Sequence, residues 1–340
     1  MSIIVAGFVR ADVVYNGVAA GHSLSMSTDS SRTASAIDSV VWNGVEFIDS
    51  YDHGRQLQSA VNHGISGYAW VPESYNPTQA GSVSNGRGEG STSTLISENV
   101  SGNQLTTSGA MAFWLPASRA NSYNDVNLSA TTIDTTYTFG ASLSGIWFDN
   151  IIRHDVTFHV PATPQVDDLG ATYFYHQFEA LTGYMPPEFN TFRTWNPATN
   201  QLTIITAPDM EQNLPLIVST ADGQYAMGIF SYDLPQDEFL SAGYGAWFFE
   251  GANSDAGSGA GVSKWNAVYR IGRAELTANV FSGGDYSFTL YVVVGTVADV
   301  QNSFNALHNV PEPSSIILFG FSLLIFLKNY LNSNSRFSSR

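Results

Sequence analysis

Pairs of turn-forming residues recur along this chain between short apolar runs, and they limit its fold more than any other feature. Asn43-Gly44 separates the apolar residues 40–42 from residues 45–48, and Asp222-Gly223 separates residues 216–218 from residues 225–230. Asn-Gly and Asp-Gly readily adopt the positive φ angles that tight β-hairpin turns require. We therefore expect a chain of short antiparallel strands.

The pattern of apolar residues in other segments also predicts mainly β-strands. Residues 195–205 predict a hairpin with a longer turn, and residues 286–294 form a β-branched and aromatic run typical of a central strand. The best helical period covers residues 297–307, with a possible N-cap at Thr296 and a stripe made of Val297, Val300, Phe304 and Leu307. Two stretches rich in glycine and serine, residues 81–94 and 251–261, are predicted to be mobile loops. The predicted fold class is all-β: a large antiparallel sandwich with one short C-terminal helix, formed by residues 12–309 as a single domain.

Composition limits the partners of this domain. Residues 12–309 contain 28 acidic and 9 basic side chains, a formal charge of −19, and Lys264 is their single lysine. Such a charge argues against nucleic acid as a partner and favours neutral ligands over anionic ones. The chain has no cysteine, so its stability depends on packing and hydrogen bonds without disulfides.

The C-terminal residues 310–340 have three parts. Pro311-Glu312-Pro313 is held extended by its proline rings, residues 316–327 are apolar, and Lys328, Arg336 and Arg340 follow. This order resembles the PEP-CTERM sorting signal of Gram-negative bacteria, although the basic residues are more dispersed than in that family. The resemblance implies a transmembrane sorting helix, membrane anchoring before processing, and an exosortase as the processing partner. The alternative is a C-terminal helix buried in the core.

Residues 1–11 are apolar and end in small side chains, with Val9 and Ala11 at positions that a signal peptidase prefers. We interpret them as the remnant of a truncated signal peptide, with cleavage after Ala11. A short buried strand over residues 2–9 is the alternative. Together with the C-terminal signal, this interpretation predicts export to the cell surface or the extracellular space.

The densest polar segment is residues 49–58, which include Asp52, His53 and Arg55. Histidine titrates near neutral pH, and arginine can clamp a carboxylate or a pair of hydroxyls. If residues 54–61 are extended, Arg55 and Gln58 lie on opposite faces. Residues 39–79, a hairpin followed by a Gly-Arg segment, resemble the galactose-mutarotase-like supersandwich found in aldose epimerases and in domains of polysaccharide lyases and glycoside hydrolases. The catalytic histidine and glutamate motifs of the epimerases have no match here, and residues 52–55 also fit a turn with a surface ion pair.

Other candidate ligand contacts lie on a strand and in two loops. In residues 172–179, alternation places Tyr173, Tyr175, Gln177 and Glu179 on one face, where tyrosines can stack on sugar rings and Glu179 can act as an acid or base. Glu188 adds a second carboxylate, as glycoside hydrolysis requires, and Tyr75 and Asn76 lead a polar loop. Each also fits an ordinary surface or turn position.

Two further histidines occur in the predicted strand 151–160. His154 shares a face with apolar residues and is predicted to be a core histidine, whereas His159 shares the other face with Arg153 and Asp155 in a polar cluster. No group of side chains has the spacing of a metal site, and there is no nucleotide fingerprint, so no metal or cofactor is predicted.

These observations predict an exported envelope protein that binds envelope or extracellular polysaccharide. The alternative is a carbohydrate-active enzyme of the polysaccharide lyase, glycoside hydrolase or epimerase type, using His53, Arg55, Tyr75 and Glu179. A structural envelope protein without a ligand is the third class.

Replacing Pro311, Glu312 and Pro313 by alanine is expected to leave the unprocessed precursor in the inner membrane, because the processing enzyme would lose its extended recognition segment. Mass analysis of the C-terminus checks this. An identical mature C-terminus with and without the motif would show that it is not a sorting signal.

Overall fold

The structure is a computed structural model that describes residues 14–65, 77–81, 90–113, 128–161, 173–235, 243–271 and 283–310. The leader-like residues 1–11, the tail with Pro311, Glu312 and Pro313, and the loop residues Tyr75 and Asn76 lie outside these ranges. Within them, no helix is long and apolar enough to span a bilayer.

The described chain forms two antiparallel sheets. The smaller sheet has four strands in sequential order: β1 (Val14–Ala19), β2 (His22–Thr28), β3 (Ile37–Trp42) and β4 (Val45–Glu46). The larger sheet has 15 strands. In chain order these are β5 (Gln58–Ile65), β6 (Pro77–Thr78), β7 (Thr94–Ser101), β8 (Gln104–Phe113), β9 (Leu128–Leu143), β10 (Ile146–Val160), β11 (Tyr173–Met185), β12 (Thr191–Asn196), β13 (Gln201–Ile205), β14 (Asp209–Gln212), β15 (Leu216–Ser219), β16 (Ala226–Phe230), β17 (Tyr244–Phe249), β18 (Val262–Ile271) and β19 (Gly284–Gly295).

The larger sheet folds back on itself to make a sandwich. Its spatial order is β13-β12-β15-β16-β19-β10-β9-β8-β6-β5-β11-β18-β17-β14, with β7 beside β8. The first layer runs from β13 to β8, and the second layer runs from β5 to β14. Between the layers, Phe158 of β10 packs against Phe178 of β11 at 4.8 Å, and Tyr269 of β18 packs against Phe288 of β19 at 4.3 Å between ring centroids. The all-β antiparallel sandwich predicted from the sequence is confirmed.

The smaller sheet packs against the same core. The Trp42 and Tyr225 rings are 5.8 Å apart, and the Phe47 and Phe189 rings are 4.7 Å apart. The Trp42 indole N–H donates a 2.7 Å hydrogen bond to the carbonyl of Ala19, which satisfies the polar atom of a buried ring.

The predicted hairpins are present. Asn43 (φ 50°) and Gly44 (φ 77°) form the two-residue turn between β3 and β4, where positive φ angles suit the twist of the flanking strands. The turn of residues 197–200 connects β12 to β13, and residues 220–225 connect β15 to β16. The run predicted as central belongs to β19, which lies between β10 and β16.

The single helix in the described ranges, α1 (Val297–His308), covers the outer side of the first layer. Its N-terminus has the predicted cap: the Asp299 N–H donates to Thr296 Oγ1 at 3.2 Å, and the Thr296 N–H donates to Asp299 Oδ2 at 2.9 Å. Val300, Phe304 and Leu307 bury the predicted stripe against the sheet.

The two histidines of β10 have opposite environments. His154 is buried between the layers, 3.3 Å from the carbonyl of Ala180 across the core, and burial lowers its pKa to about 4. It is therefore the core histidine that the alternation predicts. His159 faces outward, with Nδ1 2.7 Å from Asp285 and Nε2 3.0 Å from Asp134. Arg153 pairs with Asp155 on the same face, at 2.8 Å.

The two contacts of His159 require a charged ring. Carboxylates only accept hydrogen bonds, so both ring nitrogens donate when both bonds are made, and the imidazolium joins β9, β10 and β19. The hydrogen bond to Asp285, followed by the one to Asp134, raises the pKa of His159.

This raised pKa predicts a pH-dependent contribution to stability. Because the pKa of His159 is raised in the folded state, its two ion pairs contribute fully to stability below the unfolded-state pKa of about 6.5. This contribution is lost as the pH rises through the folded-state pKa. His159→Asn is therefore expected to lower the free energy of unfolding at pH 6 more than at pH 9, as measured by denaturant titration. Asp285→Asn serves as the matched variant and should lower the pKa of His159 in an NMR titration. An equal loss at both pH values would contradict the charged clamp.

Candidate functional site on the outer face of the second layer

The outer face of the second layer collects polar side chains by strand alternation. On β18, Trp265, Ala267 and Tyr269 point into the core, so the residues between them point outward. The register pairs Gln177 with Arg270 and Tyr184 with Lys264, which brings β11 and β18 together on this face. We call this surface the charged face, defined as Gln177, Glu179, Tyr184, Glu211, Trp247, Lys264, Asn266 and Arg270.

Arg270 joins three strands of the charged face. Its Nη2 donates to both carboxylate oxygens of Glu211 on β14, at 3.0 and 2.7 Å, and its Nε donates to Gln177 Oε1 on β11 at 2.8 Å. The side chains of Arg270 and Glu211 are only 12% and 15% exposed. A charge pair this far from water is stronger than a surface ion pair.

Glu211 has a perturbed acidity. Burial raises the pKa of its carboxyl, the charge and hydrogen bonds of Arg270 act against that rise, and the negative charge of Glu179 adds to it. The two carboxyls therefore interact electrostatically across β14, β17, β18 and β11. Such an arrangement is one way in which proteins keep a carboxyl protonated closer to neutral pH.

Lys264 lies between two aromatic rings. Its Nζ is 3.6 Å from Glu179 Oε2, 5.3 Å from the Trp247 ring and 5.5 Å from the Tyr184 ring centroid. Its side chain and that of Glu179 are 17% and 16% exposed. The ammonium is thus held by one carboxylate and by cation–π contacts on a partly desolvated surface.

The Trp247 ring lies on a glycine. A Cβ added at Gly245 would be 2.0 Å from Trp247 Cη2 and 2.3 Å from Asn266 Oδ1, so only glycine leaves room for the ring at this position. Asn266 Oδ1 is buried without a hydrogen-bonding partner among the described residues. Beside them, Phe249 is 42% exposed and stacks on Tyr184 with ring centroids 6.2 Å apart. These rings form an aromatic border to the charged face.

Arg55 approaches the charged face from the segment before β5. Its guanidinium is 5.8 Å from the Tyr184 ring, on which Lys264 also lies, and it bridges Asp49 at 3.3 Å and Asp52 at 3.2 Å. It also donates to the carbonyl of Asn253. Tyr184 therefore connects the predicted Arg55 cluster with the predicted Glu179.

Asp49 fixes this segment to the glycine-rich stretch between β17 and β18. The Asp255 N–H donates to Asp49 Oδ2 at 3.0 Å, and the Ser50 N–H donates to Asp255 Oδ2 at 3.1 Å. Burial raises the pKa of Asp49, the hydrogen bond from Asp255 opposes that rise, and the charge of Asp255 adds to it. The stretch predicted as a mobile loop thus supports Arg55.

His53 is 1% exposed, and neither of its ring nitrogens has a hydrogen-bonding partner in the described part of the chain. It therefore lies below the surface where a ligand would bind. The segment is turned rather than extended there, since the Arg55 N–H bonds to the carbonyl of Asp52 at 3.2 Å and β5 begins only at Gln58. The prediction that Arg55 and Gln58 lie on opposite faces assumed that residues 54–61 are extended. It therefore does not apply to Arg55.

The remaining predicted residues are dispersed. Glu188 is exposed in the loop between β11 and β12. Tyr173 and Tyr175 belong to β11, but their side chains lie outside the described part of the structure, as do Tyr75 and Asn76 entirely. Among the described residues, no cluster of three or more histidine and acidic side chains could hold a metal ion.

Tyr184 of β11 was not among the predicted site residues. Five residues of the charged face on other strands were not predicted either: Glu211, Trp247, Lys264, Asn266 and Arg270. They lie on β14, β17 and β18, and only the strand register brings them to Gln177 and Glu179. One signal was available, because Lys264, Asn266 and Arg270 alternate with Trp265, Ala267 and Tyr269 in the sequence.

No protein-family model matches the chain, and no curated protein matches its sequence. Solved structures that resemble it include heparan sulfate lyase HepC from Pedobacter heparinus (6% identity, TM-score 0.42, covering 84% of this chain and 35% of the lyase). The GH36 alpha-galactosidase AgaA from Geobacillus stearothermophilus has 7% identity and a TM-score of 0.39, covering 84% of this chain and 41% of the galactosidase. A galactose mutarotase-like protein from Clostridium acetobutylicum has 6% identity and a TM-score of 0.38, covering 84% of this chain and 99% of that protein. The chain thus spans less than half of the lyase and of the galactosidase, and at these TM-scores their activities do not carry over to it.

Removing Arg270 is expected to destabilise the second layer. Arg270→Met leaves the Glu211 carboxylate without its cation and should lower the free energy of unfolding at pH 7 by about 2–4 kcal/mol. Without Arg270, the pKa of Glu211 in the folded protein would rise further. A folded-state pKa above the unfolded-state pKa lowers stability only at pH values above the unfolded-state pKa. The loss relative to wild type should therefore shrink as the pH falls toward the normal pKa of glutamate, about 4.3.

Arg153→Met is the matched control, since Arg153 pairs with Asp155 on an exposed surface, with side chains 47% and 37% exposed. Its loss should stay below about 1 kcal/mol. Equal losses for the two variants would show that the Arg270 pair is no stronger than a surface pair.

Proposed function

We propose that the protein binds neutral carbohydrate through the charged face. The observation that carries the proposal is the Lys264 ammonium, 5.3 and 5.5 Å from two aromatic rings and paired with Glu179, on a partly exposed sheet surface. Aromatic rings beside fixed hydrogen-bonding groups are the combination by which water-soluble sugars are held.

The charge balance supports a neutral ligand. On the charged face, Lys264 pairs with Glu179 and Arg270 pairs with Glu211, so cations and carboxylates are equal in number. Residues 12–309 have a formal charge of −19, which repels anionic polymers at long range. A uronate or sulfate group would meet carboxylates on this face without an excess of cations to offset them. A neutral sugar meets no such opposition.

The polar groups are held in place before a ligand arrives. Arg270 fixes the side chains of Gln177 and Glu211, and Glu179 is fixed by Lys264. Sugar hydroxyls can both donate to carboxylates and accept from cations, so each pair offers them two kinds of contact. Because these side chains are ordered already, little additional rotamer entropy would be lost on binding.

A glycan-cleaving or isomerising enzyme is the second candidate, and one observation favours it. Burial raises the pKa of Glu211, and Glu179 interacts with it, so the face contains two carboxyls in different environments. Two such carboxyls can divide the roles of acid and base. In this candidate, Glu211 rather than the buried His53 serves as the general acid.

We propose the cellular location of the protein from its sequence. The resemblance of residues 310–340 to a PEP-CTERM signal, with Pro311, Glu312 and Pro313, supports export, membrane anchoring and processing by an exosortase-type enzyme. The polysaccharide would then be one of the cell envelope or the extracellular matrix.

The proposal predicts that Trp247→Ala weakens binding to immobilised neutral polysaccharides, for which we suggest galactomannan, xyloglucan and dextran. Loss of one stacking ring should cost about 1–3 kcal/mol, or roughly 5- to 150-fold in affinity. Trp247→Phe should retain most of the binding, and Arg153→Met, on the other layer, is the control. Melting temperature and near-ultraviolet dichroism show whether each variant is folded.

Two outcomes decide between the candidates or reject both. Release of reducing ends by the wild type that Glu211→Gln abolishes would show a glycan-cleaving enzyme, and binding without any such release would favour a binding protein. Stronger binding to alginate than to every neutral polymer, or binding that Trp247→Ala leaves unchanged, would contradict the proposed site.

A further inference from the structure

The hairpin that joins β9 to β10 presents two exposed apolar side chains at its tip. Ser144 (φ 51°) and Gly145 (φ 81°) form a two-residue turn, and the next residues, Ile146 and Trp147, are 63% and 61% exposed. Exposing a tryptophan to this extent leaves a large apolar surface in water. By contrast, Trp42, Trp195 and Trp265 are fully buried.

The Trp147 ring is fixed in place by the backbone beneath it. A Cβ added at Gly140 would be 2.1 Å from Trp147 Cζ2, 2.5 Å from Cη2 and 2.9 Å from Cε2, so the ring lies directly over this glycine. Gly140 has a φ of 80°, and it lies where the register between β9 and β10 shifts, between Phe148 and Ile152. Because of the bulge and the missing side chain at Gly140, the ring fills a space that the Cβ of any other residue would occupy.

The same arrangement occurs in the charged face, where Trp247 lies over Gly245. In both places, one side of an indole ring is against the backbone, but the Lys264 ammonium also lies 5.3 Å from the Trp247 ring, whereas Trp147 is 61% exposed. A ring held flat in this way loses little entropy when a second flat or puckered ring stacks on it. Trp147 differs from Trp247 in its greater exposure and in its position, on the first layer instead of the second.

The net charge of the domain limits which partners can bind at an exposed tryptophan. The formal charge of −19 for residues 12–309 opposes nucleic acid and anionic lipid surfaces, both of which are polyanionic. A neutral sugar ring presents apolar C–H groups on one side and is indifferent to this charge.

We infer that Trp147 is a second carbohydrate contact, which stacks on a pyranose ring of a neutral polysaccharide. The inference takes its ligand class from the proposed function but uses a separate surface on the other layer. A protein with two such contacts can hold one polymer at two points, or join two polymers, and its affinity for polymer then exceeds its affinity for a short oligosaccharide.

The experiment compares Trp147→Ala, Trp147→Phe, Trp247→Ala and the double alanine variant of the full chain on immobilised galactomannan, xyloglucan and dextran. Trp147→Ala is expected to weaken polymer binding at least fivefold, Trp147→Phe is expected to retain most of it, and the double variant should bind more weakly than either single variant. Ile146→Ser is the matched control, because it removes an adjacent and equally exposed apolar side chain that has no ring. It should leave polymer binding unchanged.

The outcomes separate the two proposals. If Trp247→Ala weakens binding and Trp147→Ala does not, this inference is overturned while the charged face stands. If only Trp147→Ala weakens binding, the hairpin contact stands and the proposed function of the charged face fails. If Trp147→Ala and Ile146→Ser lose binding equally, or if the wild type co-sediments with phosphatidylcholine vesicles in a manner that needs both residues, the tip is an apolar insertion site and the inference is wrong.

Discussion

The contact between the two layers of the large sheet is the interaction on which the rest of the structure depends. Phe158 and Phe288 from the first layer pack against Phe178 and Tyr269 from the second. Burying these rings is favourable by about 1.5–3 kcal/mol each. With no cysteine in the chain, this core and the strand ladders must hold the fold together without disulfides.

In each packed layer, side chains alternate along the strands between the core and an outer face. The outer face of the first layer is partly covered by α1, whose Phe304 packs against Trp195 with ring centroids 5.6 Å apart. The outer face of the second layer instead carries paired charges. Four half-buried charged side chains cost desolvation energy that apolar residues would avoid. Their position beside aromatic rings is the basis of the proposed ligand site.

Local features of this fold could be predicted from the sequence, and non-local ones could not. Asn43-Gly44 and the Thr296 cap depend on residues within a few positions of one another, and both formed as predicted. Gln177 and Glu179 were assigned to one face because alternation is also local. Arg270, the partner of Gln177, is 93 residues away from it, and Lys264, the partner of Glu179, lies on the same distant strand, β18. Strand register alone brings both close to β11. His53 appeared reactive by residue type, yet turn formation at residues 52–55 buries it.

Hydrogen–deuterium exchange of the full chain, with and without the neutral polysaccharide that binds best, tests the central claim most directly. A ligand on the charged face should slow exchange in β11, β17 and β18, because it excludes water from strands that carry Tyr184, Trp247 and Lys264 and suppresses their local opening. Exchange in α1, on the outer side of the other layer, should not change. Saturating polysaccharide that leaves exchange in β11, β17 and β18 unaltered would contradict the assignment of the carbohydrate site to this face.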